Sequence, residues 1–215
     1  MIGTKYQKSR RTISDYPYSV IKRPKSHNKL GRRVTVGRFK GYAMYSLTLE
    51  ERATCPTTCQ RWADCYGNNM PFAHRLQHGL DLERALFRDV GAACRDHPQG
   101  VLVRLHVLGD FYSPEYVGVW EELLATHDNL AAFGYTHRND PACAIRQELE
   151  RVQNEFSNRF AIRHSDMACD PLSALHESIA PPEAITCPEQ IGKTKSCGTC
   201  GLCWSADRQI RFLHH

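Results

Sequence analysis

Residues 101–120 read VLVRLHVLGDFYSPEYVGVW. Eight residues of β-forming character, Val101 to Leu108, run into Gly109-Asp110-Phe111. Ser113-Pro114 then opens a helix, with serine in the capping position and proline in the first turn, where its fixed φ and missing N–H are tolerated. Tyr116, Trp120, Leu123 and Leu124 mark the apolar stripe of that helix. Read at period two, the strand carries Val101, Val103, Leu105 and Val107 on one face and Leu102, Arg104, His106 and Leu108 on the other. Strands of parallel sheets are ordinarily apolar on both faces. Arg104 and His106 on one face therefore predict a functional pocket, the alternative being a mutually satisfied internal pair.

The same strand-then-helix beat extends outward. On the N-terminal side, Tyr42 to Leu49 reads as the first strand and is followed by CPTTCQRWADC, residues 55–65. Asn69 and Pro71 then predict the start of one long helix bent at Gly79, carrying Phe72, Leu76, Leu80, Leu82, Leu86 and Val90. On the C-terminal side follow a strand over Leu130 to Thr136, a helix from about Pro141 to Phe156 and a strand over Phe160 to His164. The pattern weakens over residues 166–183, with short strands expected at Ile185-Thr186 and Ile210 to Leu213. Alternation of this kind predicts an α/β fold with a parallel sheet and right-handed crossovers, a parallel βα partial barrel. Arg163 is expected on the face of Arg104. The carboxyl ends of the strands carry the cysteine loop, Asp110, Thr136-His137-Arg138 and Ser165-Asp166, and such ends are where active sites of these folds lie.

With 215 residues and a mean hydropathy of −0.50, the chain is long enough for one self-sufficient core. No stretch approaches the roughly 20 apolar residues of a membrane span. The first twenty residues lack the apolar segment of a secretory signal, so the expected location is the cytoplasm, where thiols stay reduced. Residues 1–40 hold twelve Lys and Arg against one acid, Asp15, while the rest of the chain is mildly acidic. This basic arm predicts a DNA or RNA partner through phosphate contacts, a solvated tail being the alternative. Tyr6, Tyr16 and Tyr18 would either stack on bases or pin the arm to the body. The expected organisation is the arm at 1–40, a βα core at 41–186 and a cysteine-rich segment at 187–215 packed on it.

Ten cysteines in a reducing compartment need a purpose. Cys55, Cys59 and Cys65 are spaced C-x3-C-x5-C, close enough to share one metal centre, and three ligands leave a coordination position open. Cys187 precedes Cys197-Gly-Thr-Cys200-Gly-Leu-Cys203, whose tandem C-x2-C steps complete four thiolates for an iron–sulfur cluster or zinc. Gly198 and Gly201 allow the tight turns such a run needs. Cys94, Cys143 and Cys169 are isolated and read as small apolar residues.

The segments TLEERATCPTTC (48–59), CYGNNMPFAHR (65–75), RLHVLGDFYSPEYVGVW (104–120), FGYTHR (133–138) and CPEQIGKTKSCGTCGLCW (187–204) resemble the phage and prophage gene product 88 family. That family has no established activity, and the resemblance implies a bacterial host cell. The layout is also similar to radical SAM enzymes, with a three-cysteine loop after the first strand and a Gly-acid motif ending the second. This likeness implies a half-TIM-type barrel and a [4Fe-4S] cluster on Cys55, Cys59 and Cys65 that binds S-adenosylmethionine. Gly109, Asp110, Tyr66 and Thr136 would contact the cofactor, Asp110 at its amino group. Arg104, His106, Arg163 and Asp110 would be the catalytic residues of a reaction on nucleic acid or a nucleotide. Cys187, Cys197, Cys200 and Cys203 would hold a second cluster or zinc. The usual loop is C-x3-C-x2-C with an aromatic before the last cysteine, whereas here five residues separate Cys59 from Cys65, Asp64 precedes it, and aspartate stands for the usual glutamate. The alternatives are a zinc- or cluster-stabilised nucleic-acid-binding protein without catalysis, and a zinc-dependent transferase or hydrolase, which the all-sulfur ligands disfavour.

Overall fold

The computed structural model describes residues 4–24 and 29–214; Lys25 of the basic stretch and the terminal His215 lie outside the described residues. Strand β1 (Ala43–Ser46), helix α1 (Leu80–Asp96), β2 (Val101–Leu105), α2 (Pro114–Thr126), β3 (Leu130–Thr136), α3 (Ala144–Glu155) and β4 (Phe160–His164) alternate along the chain. The four strands are parallel and lie in the order β1-β2-β3-β4. Three short strands, β5 (Ala174–His176), β6 (Ile185–Thr186) and β7 (Ile210–Phe212), form a second parallel sheet in the order β5-β7-β6. A single parallel bridge between Ser165 and Ala174 connects it to the β4 edge. The α/β class with parallel sheets is thus as expected, and Ser113 caps α2 by accepting from the Tyr116 N–H at 3.2 Å. Among the described residues no helix is long and apolar enough to cross a membrane.

One expected element is different. The long helix over 69–90 starts only at Leu80, because Gly79 has φ +124°, a conformation that side chains rarely adopt. Ahead of it, Arg75–Leu76 pairs in parallel with Arg10–Arg11, and Phe72 is 92% exposed. The i+4 spacing of Phe72, Leu76 and Leu80 is therefore not a stripe: only Leu76 is buried.

The sheet is apolar on both faces, and each face has its own cover. Val101, Val103 and Leu105 pack with Leu86, Val90, Trp120 and Leu124 of the helices. On the other face, Met44, Leu102, Ala131 and Phe133 meet Leu30, Val34, Phe39 and Trp204. The described residues of the basic segment are consequently part of the fold rather than a solvated tail. Val20, Ile21, Leu30, Val34 and Phe39 are all buried, each contributing roughly 1.5–3 kcal/mol if fully removed from water. Tyr16 is buried as well, whereas Tyr18 is exposed.

Arg104 and His106 do not share a face. The β2–β3 ladder ends at the Leu105–Gly134 pair, and alternation holds only while the ladder continues. His106 turns toward the helices instead, where its Nε2 lies 2.9 Å from the Tyr116 hydroxyl and its ring meets Phe111 edge-on. Burial pushes its pKa down to about 3, so the folded protein holds it neutral. The unfolded chain binds this proton at about pH 6.5. Between these values unfolding takes up a proton, so stability falls as pH falls, by at most about 1.4 kcal/mol per unit. Urea midpoints measured from pH 7 to pH 4 should therefore decline less steeply in His106→Gln than in the wild type; equal slopes would remove His106 as the cause.

Candidate metal centres

All four carboxyl ends of the main sheet meet at one edge, and side chains tie them together. Asp110, 3% exposed, accepts from the Phe111 N–H and the Thr136 hydroxyl on Oδ1, at 2.7 and 2.8 Å, and from the His137 N–H on Oδ2 at 2.8 Å. Its own N–H donates to Thr54 Oγ1, at the start of the cysteine loop. Arg138 donates to the carbonyls of Phe111 and Thr54, and Asn139 to that of Ser165. Gly109 sits at φ +91°, and a Cβ there would come within 2.7 Å of both Leu49 and Thr54. The Gly109-Asp110 pair thus serves the close approach of β2's end to the cysteine loop. Burial outweighs the three donors and leaves the Asp110 carboxyl above the usual range.

Cys55, Cys59 and Cys65 come together here as half-buried free thiols. Burial, then the Asp110 charge and the neighbouring Cys59 and Cys65, push the Cys55 thiol well up. Burial raises Cys65 too. A thiol group this crowded ionises readily only with a cation among the sulfurs, which is how metal centres hold thiolates. Cys59 neighbours His137, whose Nε2 is 3.5 Å from Asp166 Oδ2. Burial alone would lower His137, but Asp166 and Cys59 together push it up to about 9. Asp166 also takes a 2.7 Å bond from Arg61 Nε and one from the His176 N–H, and despite burial these donors hold its carboxyl well below the usual range.

The second cysteine group fills the sheet face opposite the helices. Cys187 is buried, and Cys197, Cys200 and Cys203 are half-buried on two one-turn helices, Cys197–Cys200 and Leu202–Ser205. Between these helices Gly201 adopts φ +78°, the left-handed conformation that lets the run double back. Burial first, then Cys203, pushes Cys197 up to about 12, and Cys187 acts on both. Trp204 packs on Phe133 with centroids 4.8 Å apart.

Arg104 lies between the two groups. Tyr66, next to Cys65 and Cys55, is on one side, and Tyr135, Cys197 and Cys203 are on the other. Its guanidinium stacks over the Tyr135 ring, 5.8 Å from the centroid, and its Nε is buried without a hydrogen-bond partner. Arg163 is differently placed from the expected pocket residue. Its guanidinium donates to the carbonyls of Leu172, Leu202, Cys203, Ala206 and Arg208, so it clamps the C-terminal segment and is 5% exposed. Thr136 likewise points into the Asp110 network and is 2% exposed. Of the expected catalytic residues, Asp110 lies beside Cys55, Arg104 lies between the two cysteine groups, Arg163 clamps the chain around Cys203, and His106 is in the helix-side core.

Arg75 carried no sequence signal, lying inside the stretch expected to be helical and standing instead in the short strand paired with Arg10–Arg11. Its side chain is fully buried, with Nε 2.9 Å from Glu51 Oε2, and it donates to Ser9 Oγ and the carbonyls of Gly67, Met70 and Ala73. Arg75 therefore holds the chain that leaves Cys65.

Comparison with known proteins agrees with the motifs. The chain is 27% identical over 128 residues to the Gene 88 protein of Mycobacterium phage L5, and 26% identical over 129 residues to that of Mycobacterium phage D29. Each match covers 52% of this chain and 54% of the relative, so the chain spans about half the length of the curated relatives it matches. No solved structure matches it. The family model for gene product 88 covers residues 19–206, from the basic segment through the second cysteine group, and the chain belongs to this family.

Proposed function

We propose that the chain is an iron–sulfur enzyme with a radical-SAM-like partial barrel, its working cluster held by Cys55, Cys59 and Cys65. The observation that carries this reading is the placement of the three thiols. They follow the first of four parallel strands stacked in sequence order, at the carboxyl edge, against the Gly109-Asp110 end of the second. The donor set fits a cluster: soft sulfur, three ligands, one position left open.

A [4Fe-4S] cluster at this site would supply single electrons to a ligand on its open iron. The residues around it have definable tasks. Asp110 keeps β2, β3 and the cysteine loop in register, His137 places positive charge beside Cys59, Arg61 holds the Asp166 that faces His137, and Arg104 offsets thiolate charge from the second centre. The fit stops short of S-adenosylmethionine. Asp110 is buried with three donors on its carboxylate, so it does not present a free acid to an amino group.

The test is iron, acid-labile sulfide and zinc per chain after anaerobic purification, followed by a dithionite-reduced electron paramagnetic resonance spectrum. About four or eight irons with equal sulfide support the reading. Zinc alone, even after reconstitution, favours the non-catalytic binding protein.

A nucleic-acid partner has its own support. Lys5, Lys8, Arg11 and His74, with the exposed ring of Phe72 and the ring of Tyr6, line an open cleft of about 690 Å³. Cations with a stacking platform suit a single strand. Lys5→Glu with Lys8→Glu should lower oligonucleotide affinity and reduce the salt slope by about 1 to 2, near 0.7 per lost phosphate contact on single strands. An unchanged slope would take the cleft out of the interface.

A further inference from the structure

The three residues that lengthen the cysteine loop beyond the radical SAM spacing bring Asp64 to the surface beside a pair of histidines from elsewhere in the chain. A carboxylate oxygen of Asp64 and one ring nitrogen each of His176 and His214 lie within 4.8 Å of one another. Among the described residues this is the only such group of three. We propose that Asp64, His176 and His214 bind a single divalent transition-metal ion of the zinc class. Two imidazoles and a carboxylate are a donor set for Zn²⁺, Fe²⁺ or Ni²⁺, distinct in chemistry from the all-sulfur centres, and three ligands leave room for water.

Each ligand is held by a partner of its own, as metal ligands usually are. His176 Nδ1 is 2.8 Å from Ser178 Oγ, its N–H donates to Asp166, and its Nε2 is shielded from solvent without a hydrogen-bond partner. The Ser178 N–H donates to the same Nδ1 at 3.2 Å, which fixes the ring and leaves Nε2 as the nitrogen that would take a metal by giving up its proton. Asp64 is anchored at 3.2 Å by Arg61, which is itself fixed on Asp166. The backbone of His214 donates to Glu177 at 2.8 Å, and that of Leu213 to Gln190 at 3.0 Å. The two rings meet edge to face at 5.8 Å. An ion here would pin the outer turn of the cysteine loop to β5 and the chain beyond β7.

The proposal does not depend on the iron–sulfur reading, since its ligands carry no sulfur. Full-length protein with its thiol-bound metals in place is treated with a mild chelator and titrated with Co²⁺. We expect one Co²⁺ per chain with weak visible bands and no intense near-ultraviolet sulfur-to-cobalt band. His214→Ala and Asp64→Asn, at exposed positions, should each weaken that binding about 100-fold or more while whatever metal the cysteines hold stays constant. Absence of a nitrogen–oxygen type of Co²⁺ spectrum in the wild type, or unchanged affinity in both variants, overturns the proposal.

Discussion

Cys55→Ala protein, purified without oxygen, is expected to lose about four irons and four sulfides per chain and to keep the metal of the second centre. Cys55 sits between Asp110 and the other two thiols of its group, so its removal leaves two ligands where a cluster needs three. Cys197 and Cys203 lie beside each other and Cys187, across Arg104 from Cys55, which is why the second centre should survive. Far-ultraviolet circular dichroism should be unchanged, because Cys55 is half-buried on a loop and the core of the sheet does not use it. Cys94→Ala is the matched control. That thiol is buried on α1, burial pushes it up to about 11, and its loss should leave iron at the wild-type level. Equal iron in Cys55→Ala and wild type would end the first-centre assignment.

Arg75→Met should cost about 3–5 kcal/mol of stability, the largest single effect expected outside the apolar core. Glu51 is 3% exposed and keeps only the Thr4 hydroxyl, at 3.0 Å, when the guanidinium is removed. An unpaired carboxylate in that position is far more costly than the pair it came from. The Ala73 carbonyl loses its donor at the same time, and those of Gly67 and Met70 keep one backbone N–H each. Urea unfolding reads the cost directly. Arg75→Met with Glu51→Gln should be less damaging than the sum of the two singles, since the second change removes the stranded charge. A loss under about 1 kcal/mol in Arg75→Met would mean that water or a rearranged loop replaces the arginine.

Much of the fold follows from local pattern. Leu130–Thr136 and Phe160–His164 have the bounds their periodicity predicts, and Ser113-Pro114 starts α2 where capping chemistry places it. Those features depend on residues a few positions apart, and so do the two cysteine runs. The helix expected through 69–79 failed for the same reason in reverse: apolar spacing there was incidental, and Gly79 with the Arg75 network outweighed it. His106 went astray because period two extends only as far as the ladder, and nothing local marks Leu105 as its last pair.

The amino-acid sequence by itself determined the α/β order, the caps and the two sets of thiols, because each is written in spacing along a few turns of chain. Tertiary structure alone decided that the basic segment covers a sheet face, that Arg163 clamps carbonyls, and that Arg75 meets Glu51. It also decided that Asp64, His176 and His214 converge. Arg61 and Asp166 are 105 residues apart and 2.7 Å from each other. Such pairs form only where the packed strands return the chain, and a buried charge is tolerated only where that return supplies its partner.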